Sequence, residues 1–543
     1  MSIFRSFVVV CFAMMMVQLL TLSTVQGVRT TATVYYNGGK FSYKVGVLDK
    51  SGVAYGAFND TTDTTGWGVL DVKFGPTSSY QEDLIRMKAA GMLEGILTSQ
   101  RIYQSYVNMA KFFIESQSAE FKTMLSSFLK KQDKWTRQMI DKKQSDPFWQ
   151  GVGLIIAQFD GLVAGYNLVP YQNKSLDLLA LSFLNNLGDV LDLQHALDPS
   201  SFPNSEKDDP KSESKNRFYG LNNHCSALIK ALPGFEDVLM SHSSWFTYSA
   251  MLRIYKHYSF DLSFSYAAAK RMSFSSYPGM LESLDDFYLL SSSMVMLQTT
   301  NNVFNQTLYD LVTPYTLPAW VRVRVANLMA NSGSQWGQIV GRYNSGTYNN
   351  QYMVIDKKRI SGELLDGTLT VVEQIPGLVK TGDQTAILRA GYWPSYNVPF
   401  YEEIYTLSGY PAMKAKKGNL YSYQLTPRAE IFRRDNGNVK DMDSLMNVMR
   451  YNDYLHDPYS EKNPAFTICS RYDLEPSAPF DGGCTDTKAT NLGMSETMSA
   501  LAINGPTTSH GLPIFKWTKE FNISHIGLPE SYNFDVVLMK PSL

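Results

Sequence analysis

Residues 223–245 read NHCSALIKALPGFEDVLMSHSSW, and this stretch decides how the rest of the chain is read. Residues 225–232 form an apolar run of strand length, Pro233-Gly234 is a turn signal, and 238–245 follow as a second strand. The chain just before Cys225 is of another kind. Residues 198–217, DPSSFPNSEKDDPKSESKNR, hold three prolines, many charges and no aliphatic side chain. That composition reads as an exposed linker, open to proteolysis, over 198–224.

Upstream of the linker, residues 80–197 are helical in pattern. Leu84, Met87, Leu93, Ile96 and Leu97 recur at helical spacing within 80–115, and further helices are predicted over 119–142, 147–164 and 176–197, with breaks at Pro147 and Pro170. Residues 31–36, 46–48 and 67–74 read as short strands. Downstream, strands are predicted over 260–264, 272–276, 286–299, 351–356 and 367–375, and helices over 246–258, 301–312, 319–330 and 439–452; the tail after 505 is irregular. The chain thus divides into a leader at 1–27, a helix-rich part at 28–197, the linker, and a strand-rich part at 225–543.

The leader has Arg5 ahead of an apolar run, FVVVCFAMMMVQLL (7–20), then small and polar residues to Gly27. This is the layout of a secretory signal peptide, and the run is shorter than the roughly 20 residues a bilayer-spanning helix needs. The apolar segment 148–163 carries Gln150, Gln158 and Asp160 and reads as a buried helix, so no transmembrane anchor is expected. A secreted or lysosomal lumenal protein follows, with N-x-[ST] acceptors at Asn59, Asn173, Asn305 and Asn522 expected mostly on exposed loops. Of the four cysteines, Cys11 lies in the leader and Cys469 and Cys484 flank a Pro/Gly-rich loop as a natural disulfide pair. Cys225 is left alone.

Composition narrows the function. Of 543 residues 44% are apolar and 18% charged, enough for a large core. The 49 Lys+Arg balance 50 Asp+Glu without a basic run, which removes the driving force for a nucleic-acid partner. G-x-S-x-G, H-E-x-x-H, C-x-x-C, P-loop and G-x-G-x-x-G motifs are absent, so no metal or nucleotide cofactor is expected.

An isolated thiol directly after a cleavable linker suggests a specific chemistry. Cleavage between His224 and Cys225 would give Cys225 a free α-amine with a reference pKa of about 7.7–8.0, against about 10.4 for Lys. A thiol with such a base beside it is an activated nucleophile. The same thiol could attack the preceding carbonyl and make the cut itself.

Beyond this stretch, the segments MLRIYKHY (251–258), FSSYPG (274–279), DDFYLL (285–290), NSGTYNNQYMVID (344–356), EQIPG (373–377), YWPSYNVP (392–399), PRAEIFRRD (427–435) and MRYNDYLHDP (449–458) resemble the phospholipase B-like family. So do FNDT and TGWGVLDV within 58–72, and AAGMLEGILT (89–98). The resemblance runs in order along nearly the whole chain after the leader. It implies an α+β fold of the N-terminal nucleophile hydrolase type, with two stacked antiparallel sheets between helical layers. It further implies a precursor cut before the cysteine, with both chains staying associated. By position it implies Cys225 as nucleophile, His242 and Trp245 lining the site beside the thiol, Thr300 near it, Asn397 as oxyanion donor, and Arg428 completing the polar cluster. On the residues alone, Trp245 also suits a core position, Thr300 a helix cap and Asn397 a turn. Some family members carry additional cysteine pairs that this chain lacks. The implied activity is a cofactor-free acyl hydrolase acting on phospholipid acyl esters or lipid-like amides; the alternative is a non-catalytic lumenal glycoprotein that binds lipid or protein.

Overall fold

Alternation along the central strands produces the layering. A strand presents successive side chains to opposite faces, so one buried on both faces must pack two layers at once. The computed structural model describes residues 27–199 apart from 116, and 225–543 apart from 522. Residues 1–26 of the leader, 200–224 of the linker and the sequon at Asn522 lie outside the described residues.

In chain order the strands are β1 (Val28–Asn37), β2 (Lys40–Val45), β3 (Ala54–Thr61), β4 (Trp67–Phe74), β5 (Cys225–Ala231), β6 (Val238–Thr247), β7 (Arg253–Phe260), β8 (Arg271–Ser276), β9 (Tyr288–Leu290), β10 (Met294–Thr300), β11 (Asn350–Asp356), β12 (Leu369–Ile375), β13 (Leu378–Asp383), β14 (Tyr392–Ser395), β15 (Gly482–Thr490), β16 (Ala500–Asn504), β17 (Phe515–Lys516), β18 (Ser531–Tyr532) and β19 (Val537–Met539). An 11-stranded sheet has the order β13-β12-β11-β10-β9-β8-β7-β4-β3-β1-β2, and a 6-stranded sheet the order β14-β5-β6-β15-β16-β19. β17 and β18 pair separately. Pairing is antiparallel except between β4 and β7, which run parallel.

On β5, Ala227, Ile229 and Ala231 face the same core cluster as Val295 and Leu297 of β10 and Met353 and Ile355 of β11, so the two sheets stack face to face. Leu228 of β5 and Leu239 of β6 point the other way, into a cluster with Ile431, Phe432, Leu445 and Met449. Those residues come from helices at Pro427–Asp435 and Met442–Met449. The opposite face of the large sheet is covered by Tyr80–Leu97 (α1), Pro147–Leu168 (α2) and Ala319–Met329 (α3) among others. The two later helices are α4 (Pro427–Asp435) and α5 (Met442–Met449). The result is an α+β fold in four layers, helix–sheet–sheet–helix.

The β4–β7 pairing matters for organisation. The helix-rich part contributes β1–β4 to the same sheet as strands that follow the linker, so the linker interrupts the chain and not the sheet.

α1 and α2 show how the helical layer is built. Gly91 and Gly95 face Gly161 and Gly165, and a Cβ added at Gly91 would lie 1.8 Å from the Gln158 carbonyl oxygen. These glycines allow the two backbones to touch. α2 starts with Pro147 at its first turn and Asp146 capping the Phe148 N–H at 2.9 Å. It is the one described helix apolar and long enough to cross a bilayer, and its most apolar window is 67% buried within the fold.

Several expectations are revised. The helix expected over 246–258 is a short turn followed by β7, because Arg253, Tyr255 and His257 alternate with Ile254, Lys256 and Tyr258 across a strand buried on both faces. Residues 301–312 give a loop and a 3-10 turn at Gln306–Leu311 in place of a helix. The strand expected over 286–299 is two strands, β9 and β10, hinged at Ser293 with φ of 63°. Residues 260–264 only end β7, and 46–48 lie beyond β2. The tail is not wholly irregular, since β19 closes the edge of the smaller sheet. Of the three described sequons only Asn173 sits on an exposed turn; Asn59 lies mid-strand in β3, and Asn305 is half-buried with its Nδ2 donating to the Leu407 carbonyl at 3.1 Å.

Gly91→Ala should therefore lower stability by about 1–3 kcal/mol, the usual cost of overpacking a close contact. Gly437→Ala, where nothing lies within 4 Å of an added Cβ, should be near neutral. Thermal unfolding midpoints of the two variants check this.

Candidate active site

Cys225 is the first residue of a central strand, and its three kinds of polar contact fix it there. Its backbone N–H donates to Asn397 Oδ1 at 3.3 Å. Its carbonyl accepts from Arg428 Nη1, and across the ladder it is paired with Ser244 of β6. The thiol is buried and unpaired. Burial pushes its pKa up to about 12, opposed in part by the backbone N–H of Trp245. In this state the sulfur is a neutral thiol across the physiological range.

Arg428 organises the surrounding segments. It lies in the first turn of α4 and is 3% exposed. Nη2 donates to the Tyr396 carbonyl at 2.7 Å and to Asn397 Oδ1 at 2.8 Å, while Nη1 reaches Ser226 Oγ at 3.1 Å. The guanidinium also sits 4.4 Å over the Trp245 ring. Burial lowers its pKa to about 10, which leaves it charged at neutral pH.

Asn397 holds φ of 67°, a left-handed conformation that Asn tolerates better than most residues. It is kept there by its Nδ2 donating to the Thr300 carbonyl at 2.6 Å and by Tyr410 Oη donating to its own carbonyl at 2.9 Å. Thr300 ends β10 and acts here through that carbonyl. Cys225, Ser244, Trp245, Tyr277, Thr300 and Tyr348 line a small cavity of about 30 Å³, the volume of about one water.

Five of the six residues read from sequence thus meet around one point. His242 takes a different place. It lies two register positions further along the ladder, opposite Ala227, and Ser244 is the residue that faces Cys225. Lys488 Nζ donates to His242 Nδ1 at 3.1 Å, which assigns the ring proton to Nε2. Burial, then the Lys488 charge, hold its pKa well below the usual value, so it is a neutral ring.

His242 belongs to a charged group that sequence reading did not find. Lys488 Nζ lies 2.6 Å from Asp486 Oδ1 and 3.1 Å from Asp285 Oδ2. Arg253 donates to Asp285 Oδ1 at 3.0 Å and lies 3.2 Å from Asp486 Oδ2. Tyr277 and Ser275 each donate to Asp285 at 2.9 Å. All four charged residues are 3% exposed or less, and their two positive and two negative charges cancel. Such a cluster is tolerated between sheets because its charges cancel and each charged group has an ion-pair partner. Its signal in the sequence is the polar alternation of His242 and Ser244 on β6 and of Asp486 and Lys488 on β15, which share one face through the His242–Lys488 and Ser244–Asp486 pairings.

Cys469 and Cys484 form the expected disulfide, with sulfurs 2.04 Å apart. Cys484 is paired with Trp245 across the β6–β15 ladder, so the bridge fastens the strand beside the site.

The phospholipase B family model matches residues 54–539. Phospholipase B-like 1 of Bos taurus is 49% identical over 518 residues, covering 94% of this chain and 93% of that protein. Phospholipase-B 81 of Drysdalia coronoides is 50% identical over 517 residues, with 94% and 93% coverage, and Phospholipase B of Crotalus adamanteus is 48% identical with the same coverage. The chain belongs to the phospholipase B family. In this family member the residues around Cys225 come from β5, β6, β10, the 396–397 loop and α4, and no two of those segments are adjacent in sequence except β5 and β6.

The raised thiol pKa gives a direct test on the intact chain. At pH 8 alkylation of Cys225 by iodoacetamide should be about 10³-fold slower than that of an ordinary cysteine of pKa about 8.5, from thiolate fraction alone. The rate should rise tenfold per pH unit up to about pH 11. A reactive thiol at pH 8 in uncut protein would contradict the burial described.

Proposed function

We propose that this protein is a cofactor-free acyl hydrolase of the N-terminal nucleophile type, with Cys225 as nucleophile after cleavage of the His224–Cys225 bond. The observation that carries the reading is the position of the Cys225 nitrogen. It sits at the head of a central strand, aimed at Asn397 Oδ1 and anchored through its own carbonyl by Arg428. In the intact chain this nitrogen is an amide and has no basic lone pair. Once free it becomes an amine beside the sulfur with a pKa near neutrality.

The chemistry then runs in balanced steps. The thiol first attacks the His224 carbonyl carbon and its proton goes to the departing nitrogen, so the acyl group moves to sulfur and the Cys225 amine is freed; water then hydrolyses the thioester, giving the His224 carboxylate and restoring the thiol. In turnover the amine takes the thiol proton as sulfur attacks the substrate acyl carbon. Asn397, through Nδ2, is the donor assigned to the oxyanion of the tetrahedral intermediate, and Arg428 holds Asn397. The proton passes to the departing alcohol, leaving an acyl thioester. Water, with the amine as base, releases the fatty acid. Trp245, Thr300 and the neutral His242 shape the site without exchanging protons.

The relatives are named phospholipases, and acyl esters of phospholipids are the substrate class we assign, with lipid-like amides open to the same thioester route. A pocket for such a ligand spans about 300–1,000 Å³, so the roughly 30 Å³ present beside Cys225 must enlarge on processing. The shared sheet supports continued association of the two chains, since β4 and β7 would remain paired. The disulfide and the leader support a secreted or lysosomal destination, and glycosylation is best placed at Asn173. In the uncut state the neutral thiol and small cavity favour the second reading, a binding glycoprotein.

Fatty-acid release from phosphatidylcholine vesicles and from an N-acyl amide separates the two. Cys225→Ala should abolish both processing and release. Asn397→Ala should lower kcat by about 10²–10³-fold, and EDTA should change nothing. Undiminished release by Cys225→Ala, or loss with EDTA, would sink the mechanism.

A further inference from the structure

The cavity beside Cys225 has walls of two kinds. Leu191, Phe246, Leu284 and Tyr348 are largely apolar, while Ser244 and Asp285 bring polar side chains to it. Its volume of about 30 Å³ admits a water, and a buried water stays only where polar partners hold it.

Ser244 is placed to be such a partner. It pairs with Cys225 across the β5–β6 ladder, so both side chains stand on the same face of the smaller sheet. Directly opposed residues of this kind have Cβ atoms about 5 Å apart. Two neighbours fix its orientation: Lys488 Nζ donates to Ser244 Oγ, and Thr485 Oγ1 donates to the Ser244 carbonyl at 3.2 Å. A hydroxyl that accepts from an ammonium points its own O–H elsewhere. Among the described residues that hydroxyl has one other contact, 3.4 Å from His242 Nδ1. This is long for an O–H donor, and Lys488 already reaches the same nitrogen at 3.1 Å. The cavity side is the direction left for the proton.

Asp285, on the same cavity, is not free to act as a base. Its carboxylate already accepts from Arg253, Lys488, Ser275 and Tyr277. Burial acts to raise its pKa, but Arg253 and Lys488 hold it well below the usual carboxylate range.

We propose that Ser244 holds the water that resolves the acyl thioester, with Lys488 fixing the direction of its hydroxyl. This rests on the reading of Cys225 as an N-terminal nucleophile. The Ser244 O–H donates to the water oxygen, and the water donates one of its own O–H groups to the Cys225 amine. The water oxygen adds to the acyl carbon and the C–S bond breaks. The amine takes the water proton and passes it to the sulfur, and the carboxylic acid leaves. The same arrangement serves the first hydrolysis at His224 and each later turnover. Lys488 keeps Asp486 at 2.6 Å and Asp285 at 3.1 Å as its other partners, so deleting the hydroxyl leaves the ion pairs in place.

Two measurements on the secreted full chain test this: intact mass after hydroxylamine treatment, and the time course of product release from phosphatidylcholine vesicles. Ser244→Ala should hydrolyse its thioester about tenfold more slowly, the effect of losing one positioned hydrogen bond. It should accumulate chain that hydroxylamine converts to a His224 hydroxamate, and it should release lysophospholipid in a burst ahead of fatty acid. Once deacylation limits turnover, kcat and KM fall together and kcat/KM, which reports acylation, stays at the wild-type value. Ser244→Thr keeps the hydroxyl and should restore deacylation. Ser244→Val, which matches Thr in shape, repeats the comparison if Ala destabilises the strand. Lowered kcat/KM with no trapped thioester would overturn the proposal, and so would a Ser244→Thr chain as slow as Ser244→Ala or Ser244→Val. A wild-type chain unbroken at His224–Cys225 overturns instead the reading of Cys225 itself.

Discussion

One guanidinium ties the region around Cys225 together. Arg428 donates to the Cys225 carbonyl, to the Tyr396 carbonyl and to the Asn397 side chain, and it stacks on Trp245. Strand β5, the loop that follows β14, helix α4 and strand β6 are thereby fixed to one planar group. A buried guanidinium has five donors to satisfy and little tolerance for loose partners. Because those partners are backbone carbonyls and an Asn in a left-handed conformation, the positions of the Cys225 nitrogen and sulfur follow from it.

The layering supplies the rest of the constraint. Two sheets packed face to face bury Cys225, and that burial keeps the thiol protonated in the intact chain. The same interior holds the Arg253–Asp285–Lys488–Asp486 group as a set with no net charge, and Lys488 ties His242 to it through Nδ1. The same burial that holds Cys225 in place keeps its thiol neutral.

Legibility in the sequence followed the range of the interactions. The β5–β6 hairpin was readable because its apolar runs and Pro-Gly turn are local, and the helices expected at 119–142 and 147–164 because their caps and breaks are local too; the second runs on to Leu168. Residues 246–258 misled because a strand buried on both faces has no polar side, and Met251, Leu252, Ile254, Tyr255 and Tyr258 mimic a helical stripe. The roles of Asn397 and Arg428 came from family resemblance alone, since nothing in their spacing connects them with a cysteine about 170 to 200 residues earlier. The charged quartet was hard to read for the same reason: its members come from three separate segments, β7, the loop before β9 and β15, and acquire meaning only when the sheets stack.

The account stands on Cys225 becoming an N-terminus. Intact mass measurement with N-terminal sequencing of the secreted, deglycosylated protein tests that most directly. The account predicts two chains that copurify, one of them beginning at Cys225 with its free amine. A single chain running unbroken through the His224–Cys225 bond in fully active protein would contradict it.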